Sequence, residues 1–510
     1  MRDDRPDGER RLGRREVLKG AIGAGVIASL GFDPGAAPPP PSSSRSDLIR
    51  RENERSGTTD WQLTYTRVDR GGYRCPWVEG FATRTSIRAG QTLDICVSTS
   101  PPTSFTLDLY RMGFYGGTGA RHVARFGPIE GTTQPTPPVG PERIRECAWS
   151  PSVRVPIGAD WVSGVYLGKL AAPAHRCESY VVFVVRDDRK CDLLFQTSDN
   201  TWNAYNRWPD TYSLYDNGRA KGMSLSAGVR TSFDRPYGKY QQIYDNPLSQ
   251  GSGEFLLWEF PLAHWLEGRG YDVSYLSNSD THADPAGLLR ARGFLSVGHD
   301  EYWSLEMFRN VRGAIDAGLN VAFLSGNTCC FVAPMTPNGA GIPGRTITRA
   351  GRYGGVSEKE KGHMGPFPID GPNESALIGA RTISPFNGSG DWLIPKADHW
   401  LFAGTGMKDG DAIPGLVGWE FHGDPAPIPG LEVVARGPTR NSGGVPAEFT
   451  ATLYPGPKGN LVFNASTIFW AQGLSSPPGH MPPYSHFGRP HGPDPRVQQI
   501  TGNLLARFLA

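Results

Sequence analysis

With 510 residues, the chain is too long for one ordinary hydrophobic core and reads as two folded domains behind a processed leader. Its 52 basic side chains against 50 acidic ones leave no net field to gather nucleic acid or an anionic membrane, so the expected partner is small and neutral, or recognised by shape. Gly and Pro, 65 and 45 residues, argue against a helical bundle and for many turns and long ordered loops.

Residues 1–45 read as an address followed by a linker. "RRLGRREVLKG" sets Arg14 and Arg15 ahead of Val17 and Leu18, and the weakly apolar "AIGAGVIASLG" follows. This resembles a twin-arginine signal, which predicts export to the periplasm or beyond. The apolar stretch has about half the length a bilayer requires, so no stable membrane span is expected there. "PPPPSSSRS" is a stiff polar spacer. The twin-arginine route carries folded proteins and often serves enzymes that take up a cofactor before export.

Residues 46–190 predict a β-sandwich. "QTLDICVST", "SFTLDLYRMG", "WVSGVYLGKLA" and "SYVVFVVRD" are short strand patterns separated by turn residues, with no helical pattern between them. "YRMGFYGGTGAR" lacks the ensuing helix of a phosphate cradle and reads as a tight turn. Cys75, Cys96, Cys147 and Cys177 can pair after export, in any of three connectivities. No C-x-x-C occurs, which argues against a zinc knuckle.

After Cys191 the pattern changes to α/β over 191–510. "CDLLFQTSD", "YDVSYLSNSD", "GFLSVGHD", "NVAFLSGN", "LVGWEFHG" and "NLVFNAS" are apolar runs ending in polar residues, several followed or preceded by helical patterns. The last of these, "PRVQQITGNLLARFL", repeats Val497, Ile500, Leu504, Leu505 and Phe508 on one stripe. Such alternation predicts a doubly wound, mostly parallel sheet, with ligands bound where the strands end. That rule puts Asp199, Asp280, His299 to Tyr302, Asn327, Glu420 and Asn464 on one rim. An irregular insert, 333–400, is expected to form a lid or side wall.

The chemistry is concentrated in "SVGHDEYWS", residues 296–304. Gly298 serves as the turn residue and Ser304 as the helix cap, which leaves His299, Asp300, Glu301 and Tyr302 without a structural task. A serine hydrolase elbow fits poorly, and the H-x-E of a zinc deaminase lacks its P-C-x-x-C partner. A metal held by hard oxygen donors fits better, with Tyr302 as a tyrosinate ligand. "DNTWNAYNRW" places Trp202, Tyr205 and Trp208 three apart, a packing face if helical and an apolar pocket wall if a loop; "SFDRPY" suggests an Asp234–Arg235 ion pair.

Taken together, "LYRMGFYGGTGAR", "DNTWNAYNRW", "SFDRPY", "WLEGRGYDVSYL", "GHDEYWS", "VAFLSGNTC", "GLVGWEF" and "NLVFNASTIFW" resemble the large subunit of N,N-dimethylformamidase and its relatives, from about Trp61 onward. The resemblance implies a β-sandwich followed by an α/β domain similar to class I glutamine amidotransferases. It implies hydrolysis of a small neutral amide by a mononuclear iron, as Fe3+, held by two tyrosines and a glutamate, and a small accessory subunit. Tyr302 and Glu420 are the matching candidates for iron ligands. No motif places the second tyrosine: Tyr271 is taken as candidate, with Tyr275 in the same region, and Phe260 lies near where a donor is expected. The family pattern has proline between the histidine and the glutamate where this chain has Asp300.

On that reading His299 or Glu301 accepts the proton of the attacking water, and Asn464 stabilises the oxyanion through its amide nitrogen. The bland alternatives are a turn hydrogen bond for His299, a helix-end charge for Glu301 and a strand end for Asn464. The competing functions are a metal-free exported binding or scaffold protein and an enzyme modifying envelope amides or glycans. A homo-oligomer is compatible with either.

Overall fold

The alternating strand patterns of the first third fold as two facing sheets. Their strands are β1 (Glu79–Ala82), β2 (Ser86–Arg88), β3 (Thr92–Ser98), β4 (Ser104–Met112), β5 (Ala120–Glu130), β6 (Val153–Pro156), β7 (Gly164–Ala172) and β8 (Cys177–Arg186). One sheet runs β1-β3-β6 and the other β2-β8-β7-β4-β5. Every pair is antiparallel except β2 with β8. Leu93, Ile95 and Val97 of β3 meet Leu107, Leu109, Val181 and Phe183 in the core between them. The computed structural model describes residues 44–510 apart from 68–72, 220–222, 239, 242–243, 246, 358–359, 361–363, 365, 383–387, 442 and 481–490. The export signal expected over 1–45 lies almost wholly outside the described residues.

Of the four cysteines of this region, Cys75 and Cys177 lie with their sulfurs 3.2 Å apart. An exported chain is therefore expected to carry a Cys75–Cys177 disulfide. Peptide mapping of the secreted protein by mass spectrometry without reductant should find that linkage and none involving Cys96.

A nine-stranded sheet forms the second part of the fold. Its strands are β9 (Leu193–Gln196), β10 (Val273–Leu276), β11 (Gly293–Gly298), β12 (Asn320–Ser325), β13 (Gly388–Leu393), β14 (Ala412–Trp419), β15 (Glu432–Asn441), β16 (Pro446–Pro455) and β17 (Leu461–Asn464). They are ordered β10-β9-β11-β12-β17-β16-β15-β13-β14. The first five are mutually parallel and the last four antiparallel. The expectation of a mostly parallel sheet is thus corrected to a mixed one. The reason is connection length: the short links between β15, β16 and β17 cannot hold the crossover that a parallel pair needs. "LVGWEFHG", read as a parallel strand, is the antiparallel edge strand β14.

The parallel half is covered on both faces, as its apolar runs require. Phe294, Val321 and Phe323 pack against Met307, Val311 and Ile315 of α2 (Leu305–Asp316; α1 is Asp199–Tyr205). Leu295, Val297, Ala322 and Leu324 face the opposite core with Val497, Ile500, Leu504 and Leu505 of α3 (Pro495–Leu509). Each such side chain contributes about 1.5–3 kcal/mol of burial. Ser304 caps α2 by accepting from the Met307 amide at 3.1 Å, and the apolar stripe of α3 is buried as its spacing predicts. The outer face of β8, through Tyr180, Val182 and Val184, shares this second core, so the described residues all fall in one compact unit.

Two sequence expectations are corrected here. The helix carrying Trp202 stops at Tyr205, so Trp208 lies beyond it and donates to Glu79 Oε2 at 2.8 Å. Asp234 pairs with Arg345 at 2.7 Å rather than with its neighbour. Arg235 instead donates to the carbonyls of Trp208 and Tyr212, both at 2.8 Å. Among the described residues no helix is long and apolar enough to cross a membrane.

Candidate metal and acid–base centre

The crowded turn after β11 is organised by Asp300. Its carboxylate accepts from Gln196 Nε2 at 2.6 Å, Ser296 Oγ at 2.7 Å and Asn278 Nδ2 at 3.1 Å, which ties the ends of β9, β11 and β10 together. Burial nevertheless lifts its pKa to about 6, against those hydrogen bonds. Gly298 makes the turn at φ +73°, where a Cβ would stand 2.8 Å from Glu259 Cγ and 3.0 Å from Trp258 Cβ. With Asp300 anchored in the sheet, His299 and Glu301 on either side of it meet on the other side of the turn.

His299 Nε2 lies 2.6 Å from Glu420 Oε2 and 3.4 Å from Glu301 Oε2. Burial lowers the histidine's pKa, but the two carboxylates outweigh it and raise the group to about 9. Glu301 is pushed up to about 7 by burial and by Glu420. These three residues are the one cluster of His, Cys, Asp and Glu among the described residues whose ligand atoms, within 4.8 Å of one another, could share a metal ion.

Glu301 Oε2 also receives the Tyr205 hydroxyl at 2.9 Å and the Tyr215 hydroxyl at 3.3 Å, and those two hydroxyls are 2.5 Å apart. Three oxygens at such spacing form one face of a polyhedron. The two spacings to Glu301 fall in the range of about 2.8–3.3 Å at which oxygens pack around a cation at roughly 2.0 Å, and the two phenols stand closer, as a direct hydrogen bond holds them. Burial raises all three local phenols, Tyr205, Tyr215 and Tyr302, well above the usual tyrosine value, so their ionisation requires a strong positive charge beside them. The donor set fits a hard cation.

Tyr302 stands one step outside this face. Its hydroxyl donates to Tyr215 at 2.9 Å and receives Arg349 Nη1 at 3.3 Å, while its ring stacks on Phe331. Arg349 comes from the segment 333–400, and its guanidinium lies 4.8 Å from the Tyr215 ring centre. Tyr271 is not in the group. It precedes β10, at the strand end opposite the rim, and stacks on Trp265. Tyr275 donates to Glu267 and Phe260 packs on Trp61, so neither is near the cluster. Asn464 closes β17 and accepts from the Ser466 amide at 2.9 Å, beside His422. The amide that reaches the acids is Asn327, whose Nδ2 donates to Glu301 Oε1 at 3.2 Å.

Asn327 and Glu420 are brought together by backbone contact. Asn327 adopts φ +52°, a left-handed conformation that asparagine tolerates better than most residues. Beside it, a Cβ on Gly326 would fall 1.9 Å from the Glu420 carbonyl oxygen. Gly326→Ala is therefore expected to displace Glu420 and lower the melting temperature by several degrees, with loss of catalytic function. Calorimetry beside an activity assay checks both.

Tyr215 and Arg349 escape sequence reasoning, and Tyr205 is read there only as packing or pocket wall, although α1 carried a signal. All seven of its residues are buried, and Asp199, Asn200, Thr201 and Asn203 are polar. A helix that buries so many polar groups is built for a site rather than for packing.

The family model described as "N,N-dimethylformamidase beta subunit-like, C-terminal" matches residues 106–484, well over half of the chain. No curated protein matches.

Proposed function

The chain belongs to the N,N-dimethylformamidase beta subunit-like family, and on that premise we propose that it is an exported, iron-dependent hydrolase of small amides. The observation that carries the proposal is the meeting of two phenols and one carboxylate, Tyr205, Tyr215 and Glu301, at hydrogen-bonding distance inside the protein. These are the donor types that the family resemblance implies, on different residues from those the motifs suggested. Iron bound there supplies Lewis acidity to the amide carbonyl and to water.

The remaining work falls to side chains. Glu420, 2.6 Å from His299, takes the proton of the attacking water, and His299 passes a proton to the departing amine. With its pKa near 9, His299 holds a proton at neutral pH and can give it up only to a strongly basic nitrogen. Asn327 fixes Glu301 through Oε1 and leaves Oε2 to the phenols. Arg349, buried and with no carboxylate at ion-pair distance among the described residues, balances the negative charge of that face through Tyr302 and Tyr215. "Beta subunit" in the family description supports an accessory chain as partner, and the paired arginines at residues 14–15 support export.

The test is metal loading. Protein purified with iron is expected to contain about one iron per chain and to show a visible tyrosinate-to-iron charge-transfer band. Tyr205→Phe and Tyr215→Phe should each abolish or strongly weaken the band, and Tyr302→Phe should keep it. A colourless, iron-free protein after loading sinks the proposal.

A further inference from the structure

Buried acids in this fold are generally satisfied. Glu267 takes Arg111, Tyr275 and Asn53; Glu259 takes the Ser198 amide and the Trp202 indole; Asp300 takes three side chains. Glu254 is the exception at the site. It is fully buried, and neither carboxyl oxygen meets a hydrogen-bond geometry with a partner among the described residues. The Trp258 indole favours the ionised form of this carboxyl, yet the Trp258 N–H is itself buried and meets no hydrogen-bond geometry with a partner among the described residues. A buried polar pair left in this state costs free energy that a native fold rarely spends without a ligand to recover it.

The position of the pair says which ligand. Trp258 is held between Gly298, the residue before His299, and the ring of Trp419, the residue before Glu420, whose centre is 5.5 Å away. Glu254 is electrostatically coupled to His299, Glu301 and Glu420 together. The pair therefore lies beside the chain segments that carry His299 and Glu420, where the amine leaves. We infer that Glu254 is a specificity residue that accepts a hydrogen bond from the substrate's amide N–H, so that the substrate is a primary or secondary amide and not an N,N-dialkyl amide. Burial raises the Glu254 pKa to about 8, which keeps it neutral at pH 7 with one oxygen free to accept. An N,N-dialkyl amide would leave that oxygen desolvated and unpaired.

This inference rests on the amide-hydrolase reading and deepens it. The test is equilibrium binding of N-methylformamide and N,N-dimethylformamide to the iron-loaded full chain by calorimetry, with the visible band followed in parallel. The secondary amide is expected to bind roughly 10-fold more tightly or better. Glu254→Leu should erase the preference with the band intact, and Glu254→Gln, which keeps an acceptor, should restore most of it. Equal binding of the two amides, no binding of either, or a preference that survives Glu254→Leu overturns the subsite. A preference lost in Glu254→Leu without turnover of either amide would overturn the hydrolase reading alone and uphold the subsite.

Discussion

Glu420→Gln is expected to lower kcat about 10³-fold while leaving the iron content and the visible band unchanged. The carboxylate lies 2.6 Å from His299, and the other acid in ion-pair contact with that imidazole among the described residues is Glu301, 3.4 Å away and engaged by both phenols. Replacing Glu420 removes the group that can take a proton from water without touching the phenol–carboxylate face. Glutamine preserves the shape and the Trp419 contact at Oε1, so KM should change little. Metal analysis and steady-state kinetics on one preparation decide the matter. Loss of iron from this variant would make Glu420 a ligand, as its motif suggested, and would move the metal toward the His299–Glu301–Glu420 cluster.

Much of the frame was legible because it depends on local pattern. The strand runs, the Ser304 cap and the apolar stripe of α3 follow from period and capping, and each is found where the residues predict it. The direction of the late strands was not legible, since alternation alone does not say whether a strand returns by a hairpin or by a crossover. At the site, His299, Glu301 and Glu420 share the rim that the strand-end rule gives them, two of them carried by one turn. Tyr302 stands outside the phenol–carboxylate face for a geometric reason. Tyr302 adjoins the turn in sequence, but it enters a two-residue strand, Tyr302–Trp303, paired with Phe331–Val332, which draws its ring behind Tyr215. Tyr205 and Tyr215 arrive from α1 and the loop after it, joined to Glu301 only by tertiary contact, and no spacing rule reaches across that distance.

The same cluster should make the metal-free protein lose stability as pH rises from about 6.5 to 9. Glu301, Glu254 and His299 all have folded pKa values above their unfolded ones, at about 7, 8 and 9. A group of that kind binds its proton more tightly in the folded chain. Its stabilisation is complete below the unfolded pKa and is lost as pH climbs through the folded one. The buried histidines act with the opposite sign: burial holds His264, His480 and His491 down to about 4 and His422 to about 3. Their contribution is already complete above about pH 6.5, so it adds no slope in the window. What remains is the site, together with the buried acids Asp199, raised to about 7, and Glu259, also raised by burial, worth on the order of a few kcal/mol across those pH units. Denaturant melts of apoprotein at pH 6.5 and 9 should show this loss, and Glu254→Leu should remove a large share of it. Iron should flatten the profile, because a cation holds Glu301 and the phenols deprotonated throughout and ties their ionisation to binding instead of to unfolding. A metal-free protein equally stable at both pH values would mean that these carboxyl groups and His299 do not share one buried field.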